Sequence, residues 1–210
     1  MLIPSQIFPI SKICDVETTR YALSGVRLER DAEGPVAIAT DGRRLIAVRW
    51  SEDVAYPSEV GDVAEVAGFE TMIPKKQWDE AAKMPPKPSK YLSEKALRNV
   101  LVEEPSANGT VRMLAADREK NTKEIKATVP QGRFPRWRDV MPKEQPGSIT
   151  VRLDAAYLAE VCAVLAKMVT NDSSRGVDIT FAHEDRAVTI TKTLNGVSAT
   201  AVIMPLCRQS

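Results

Sequence analysis

Asp41, Asp117, Asp154 and His183 are the residues whose side chains could hold a metal or move a proton. A metal-dependent nuclease needs several carboxylates converging on one point. These aspartates are far apart in sequence, and nothing in their spacing gathers them. His183 is the one histidine, and His183-Glu184-Asp185 reads as an exposed turn. Cys14, Cys162 and Cys207 form no CxxC pair and are odd in number, the pattern of reduced thiols rather than of a metal or redox site. No GxSxG, HExxH, P-loop or Rossmann glycine pattern occurs. The residues therefore predict a protein that is not an enzyme and needs no cofactor or metal.

Binding chemistry is better represented. Arg133, Arg136 and Arg138 cluster around Trp137. Such a group can grip phosphates and stack on bases, or it can be a salt-bridged connector, and both readings stand. With 29 Lys+Arg against 28 Asp+Glu the net charge is +1. That balance neither advertises nucleic-acid binding nor excludes it, because opposite faces can carry opposite charge. Hydrophobic residues at 43% and charged residues at 27% suit a globular domain. No apolar run approaches the roughly 20 residues of a membrane span. Met1 to Gln6 lacks the basic and apolar regions of a signal peptide, so a cytoplasmic location is expected.

The elements that must position these residues recur as one unit. The alternation Ile149, Val151, Leu153 predicts a strand over 148–153. Asp154 stands at an N-cap, and Tyr157, Leu158, Val161, Cys162, Leu165 and Met168 recur at helical spacing. Strands are predicted over 177–181, 187–191 and 197–204, with turns at 183–185 and Asn195-Gly196. The same order appears earlier: a strand over 69–73, a helix over 75–84 opened by Pro74 and ended by Pro85 and Pro86, then strands over 97–104, 110–116 and 124–129. Asn108-Gly109 marks a hairpin turn there. The first copy is reduced. Its strands fall at 22–29, 36–39 and 44–50, preceded by at most one or two helical turns around Ile10, Ile13, Cys14 and Val16. The expected fold is α+β: three strand–helix–three-strand units with antiparallel sheets and helices on one face. Two units make a domain over 1–144, and one makes a half domain over 145–210, with Glu144-Gln145-Pro146-Gly147 as linker.

Four segments carry a family resemblance. Ile38-Ala39-Thr40-Asp41-Gly42-Arg43-Arg44-Leu45 resembles the ATDGHRL signature of the bacterial DNA polymerase III beta subunit, the DNA sliding clamp. Gly132-Arg133-Phe134-Pro135-Arg136-Trp137, continuing to Val140 and Pro142, resembles its GRFPDY…V.P segment. Val202-Ile203-Met204-Pro205-Leu206 resembles its C-terminal VVMPM, and Arg20-Tyr21-Ala22-Leu23-Ser24-Gly25-Val26 resembles the opening of its middle domain's first long strand. The first two units look like the middle clamp domain, and the third like the second half of the last. The chain is thus a shortened clamp relative, holding three units where a full subunit holds six.

The resemblance implies a DNA-clamp-like fold and a pocket between the middle and last domains that captures linear peptides of polymerases, loaders and repair proteins. Carried over, the peptide-binding positions are Leu23, Thr40, Gly42, Arg44, Leu45, Pro135, Val140, Tyr157, Val202, Met204, Pro205 and Leu206. On the residues alone, the apolar members could equally be core at strand ends. The DNA-facing positions would be Arg20, Tyr21, Lys75 and Lys76. Against DNA contact, Asp139 stands where the family carries an arginine, and the third helix is not basic on its outer side. Two functions follow. One is a DNA replication processivity factor that binds polymerase or loader peptides and encircles double-stranded DNA, without sequence preference, as a homo-oligomer. The other is a clamp-derived module that binds peptides or proteins and never encircles DNA.

Overall fold

The computed structural model describes residues 1–15, 23–51, 68–86, 98–116, 121–141, 147–167, 176–184, 186–194 and 197–206. The chain divides into two compact units, Met1–Met141 and Pro142–Ser210. The expected linker lies largely outside the described residues.

Unit 1 holds two repeats. The first runs β1 (Leu2–Pro4), a 3-10 helix (Ser5–Ile13), β2 (Gly25–Asp31), β3 (Gly34–Thr40) and β4 (Leu45–Arg49). The second runs β5 (Glu70–Pro74), α1 (Lys75–Ala81), β6 (Asn99–Val102), β7 (Thr110–Ala116) and β8 (Thr122–Thr128). A short α2 (Trp137–Val140) follows. The strands form two antiparallel four-stranded sheets ordered β4-β3-β2-β5 and β1-β6-β7-β8. Each repeat therefore lends its leading strand to the other's sheet: β5 pairs with β2, and β1 with β6. At Gly25, opposite Pro74, an added Cβ would sit 2.5 Å from the Ile73 carbonyl oxygen, so the lent strand packs too closely for a side chain there.

The two helices meet inside the main core. The Phe8 and Trp78 rings lie 4.8 Å apart, and Trp78 Nε1 donates to the Phe8 carbonyl at 2.9 Å. Val26, Leu28, Ala37 and Ala39 line this core from the first sheet. A second cluster, Val36, Ile38, Met72, Phe134 and Trp137, covers that sheet's other face. Burial on both faces explains why β3 reads Pro-Val-Ala-Ile-Ala-Thr rather than alternating.

Two features of the first repeat depart from expectation. Its helix spans nine residues, not one or two turns, because a 3-10 path accommodates Pro9 while burying Ile7, Phe8 and Ile10. Its leading strand β1 is too short to show periodicity; pairing with β6 makes it a strand. In the second repeat α1 stops at Ala81, and Met84 still packs into the core beyond its end.

Unit 2 carries α3 (Ala155–Lys167) and a sheet ordered β11-β10-β9, from β9 (Asp178–Thr180), β10 (Val188–Leu194) and β11 (Val197–Ile203). Asp154 caps α3 as expected, its Oδ1 accepting from the Ala156 and Tyr157 backbone N–H groups at 2.7 and 3.3 Å. Leu165, Val188, Ile190 and Ile203 form the core, with Val151 and Leu153 packed against it. The strand expected over 148–153 is not formed. Its alternation does put Val151 and Leu153 on the core, but no strand runs beside it in unit 2 among the described residues. The Asn195-Gly196 turn lies outside the described residues.

Candidate functional site

The turn after β3 is held by its own side chains. Thr40 is buried; its Oγ1 accepts from the Gly42 N–H at 3.0 Å and donates to the Arg44 carbonyl at 2.8 Å. Asp41 Oδ1 accepts from the Arg43 and Arg44 N–H groups, both at 2.9 Å, and Arg44 Nε donates to Oδ2 at 2.9 Å. These bonds hold the Asp41 carboxyl below its ordinary range. Gly42 has φ +84°, a left-handed conformation that glycine adopts without cost. The motif is thus a rigid turn presenting Gly42 and Arg44 to solvent, with Asp41 engaged in shaping it.

Of the other unit 1 positions, Leu23 is buried, Leu45 is half-buried against Phe134's cluster, and Pro135 is exposed. Val140 ends α2 at 70% exposure. In unit 2, Tyr157 on α3 is 61% exposed, Val202 on β11 59%, and just beyond it Met204 68% and Leu206 47%. Pro205 between them is half-buried. Val202 and Met204 flank the buried Ile203, so the strand turns one apolar face outward and one inward. The predicted set therefore splits. Leu23 and Thr40 are structural in their burial, while five large apolar side chains lie in solvent. Val202, Met204 and Leu206 fall within one short segment, whereas Val140 and Tyr157 stand apart in sequence.

Arg136, Trp137 and Arg138 of the basic–aromatic cluster follow the connector reading. Trp137 is buried, its Nε1 donating to Glu29 Oε1 at 2.9 Å. Arg138 lies 4.3 Å over the Trp137 ring and bonds Glu29 at 2.6 Å and also Asp31. Arg49 grips Asp31 through two nitrogens at 2.8 and 2.7 Å, and Arg136 pairs with Asp139 at 3.1 Å. A buried ring cannot stack on a base, and these guanidinium groups already face carboxylates.

Burial pushes the Glu29 carboxyl upward, but hydrogen bonds from Arg27 and Trp137 and the charges of Arg27 and Arg138 outweigh it and hold it below its ordinary range. Hydrogen bonds from Arg49, then Arg138 and the Glu33 N–H, hold Asp31 well below the usual carboxylate range despite some burial. A carboxyl depressed on folding contributes stability above its unfolded pKa of about 4 and loses it as pH falls through the lower folded value. The melting temperature should therefore be nearly level from neutral pH to about 5 and fall below about 4. In Arg138→Met the acid fall should be shallower; equal acid sensitivity in both proteins would contradict the assignment.

Among the DNA-facing candidates, Lys75 Nζ is paired with Asp79 at 2.5 Å, and Asp79 also accepts from Ser11 Oγ at 2.6 Å. Lys76 is exposed. Arg20 and Tyr21 lie outside the described residues. The potential metal residues do not gather: among the described residues no group of three or more His, Cys, Asp or Glu side chains could hold an ion. Asp117 lies outside the described residues. Burial pushes the Cys14 thiol up to about 11, so it is a neutral core group. No helix among the described residues is long and apolar enough to cross a membrane.

One concavity escaped sequence reasoning. It lies on unit 1, bordered by Arg27, Thr71, Met72, Gly132 and Phe134, and shares no residue with the expected peptide-binding set. Arg27 sits 5.5 Å over the Phe134 ring there and pairs with Glu29 and Glu70, so its charge is already balanced.

No protein-family model matches the sequence, and no curated protein matches it. Solved structures do match the fold. The DNA polymerase sliding clamp of Pseudomonas aeruginosa is similar at TM-score 0.66 and 20% identity, over 98% of this chain and 50% of that one. The Bacillus subtilis sliding clamp is similar at TM-score 0.70 and 16% identity, over 98% and 48%. A P. aeruginosa sliding clamp bound to griselimycin is similar at TM-score 0.64 and 18% identity, over 99% and 50%. The chain has the sliding-clamp fold and spans about half the length of the clamps it matches.

Proposed function

We propose that this protein is a non-catalytic, clamp-like interaction module that captures short apolar segments of polymerase- or loader-type proteins in the cytoplasm. The observation that carries this reading is the exposure, on unit 2, of Tyr157, Val202, Met204 and Leu206. They are large apolar side chains left in solvent at the positions the clamp resemblance assigns to peptide capture. Met204 and Leu206 give a flexible, adaptable apolar surface, and a few buried anchors supply most of the affinity in such complexes.

Enclosure of DNA as a processivity factor finds less support. It would draw on Arg20, Tyr21, Lys75 and Lys76, and Lys75 is already engaged by Asp79. A protein using several phosphate contacts would lose DNA affinity steeply with salt.

The test is titration of a fluorescent decapeptide carrying adjacent leucine and phenylalanine, followed by anisotropy. Saturable binding at micromolar concentration, competed by griselimycin and lost when both apolar residues become aspartate, is expected. Absence of binding, or equal binding of the aspartate peptide, would overturn the proposal.

A further inference from the structure

Unit 1 contains a rule that unit 2 leaves half-used. In both repeats of unit 1 the strand before the helix pairs with the first strand after the other repeat's helix. The register is Pro74 with Gly25, Ile73 with Val26 and Met72 with Arg27; Pro4 with Asn99 and Ile3 with Val100 repeat it. Unit 2 holds one such repeat and carries both halves of the pairing, and among the described residues neither half is taken up in such a strand pair. Segment 148–153 forms no strand. Among the described residues β9 pairs only with β10, and its other edge joins no described strand.

The backbone of 148–153 is already oriented for pairing. In β1 the Leu2 carbonyl points away from β6 and accepts from Trp50 Nε1 at 2.9 Å. The equivalent Arg152 carbonyl accepts from the Leu206 N–H at 2.8 Å. Because successive backbone groups alternate, those of Val151 and Leu153 face the other side, where a partner strand would lie.

The register transfers residue by residue. Asp154 precedes α3 as Pro74 precedes α1, and Gly176-Val177-Asp178-Ile179 follows the pattern of Gly25-Val26-Arg27-Leu28. Ile179 pairs with Ile190 as Leu28 pairs with Ala37, fixing the same face toward the helix. Applied between two copies, the register sets Leu153 against Val177, Arg152 against Asp178, Val151 against Ile179 and Ile149 against Phe181. Opposite charges meet, and so do exposed apolar side chains: Ile149, Ile179 and Phe181 are 53%, 43% and 46% exposed. A Cβ at Gly176 meets nothing within 4 Å, whereas at Gly25 the lent strand fills that space. Leu158 and Val161, four and seven residues after the cap like the fully buried Trp78 and Ala81, are only half-buried.

We propose that unit 2 pairs with unit 2 of a second copy of this chain, each lending 148–153 to the outer edge of the other's β9. The chain itself carries both complementary positions, Arg152 and Asp178, which is what a two-fold interface requires, since every contact then occurs twice. The proposal stands independently of peptide capture.

The test is the mass of the 210-residue protein by light scattering and sedimentation at micromolar concentration. Twice 23.1 kDa is expected. Arg152→Asp or Asp178→Arg alone places two like-charge pairs in each dimer and should raise its dissociation constant about tenfold or more. The double variant Arg152→Asp/Asp178→Arg should restore the dimer. A monomeric wild type, a dimer indifferent to both single reversals, or a double variant no better than either single one would overturn the proposal.

Discussion

Met204→Asp should weaken binding of the apolar decapeptide about 30-fold or more, the loss of roughly 2 kcal/mol typical of a central anchor, while the melting temperature stays where it was. Both halves follow from position. Met204 is 68% exposed, so its side chain contributes little to the fold, and a carboxylate there remains hydrated in the free protein. In a complex the same carboxylate would be buried against an apolar residue without a partner, a costly arrangement. Met204→Leu, apolar and of similar volume, should bind nearly as well as wild type. Leu45→Asp is a poorer probe, because Leu45 packs against the Phe134 and Trp137 cluster and its replacement would disturb that packing. Unchanged affinity in Met204→Asp by anisotropy would remove this residue from the surface.

Trp78→Ala should destabilise unit 1 by about 3–5 kcal/mol, the usual cost of deleting a large buried aromatic. Trp78 is fully buried at the meeting of the two helices, and its loss removes the packing with Phe8. It also strands the buried Phe8 carbonyl that Nε1 satisfies, which adds a desolvation penalty. Urea denaturation measures this directly. A cost below about 1 kcal/mol would mean that the two repeats do not depend on this contact, contrary to the shared core.

The repeats were legible because their strands and helices obey simple periodicities: β7 spans the expected 110–116, and α3 starts directly after Asp154 as expected. What escaped was decided by distant chain. β1 and segment 148–153 differ little in local character, yet β1 is a strand and 148–153 is not, because β6 lies beside one and, among the described residues, no strand of unit 2 lies beside the other. α2 is a single turn, anchored by Trp137 on the outer face of β3, a burial that no local pattern announces. The Arg138 contacts were invisible for the same reason, since Glu29 and Asp31 lie over a hundred residues away. Segments matched by motif served two ends: Phe134 and Trp137 are core, while Val202, Met204 and Leu206 stand in solvent. A motif match gave the position and could not separate the two.

The most direct measurement is backbone hydrogen exchange of the protein with and without an excess of the apolar decapeptide. Capture by the exposed apolar residues of unit 2 predicts slowed exchange concentrated at 202–206, with β6–β8 unchanged. Protection confined to other segments, or none at saturation, would contradict the proposed surface.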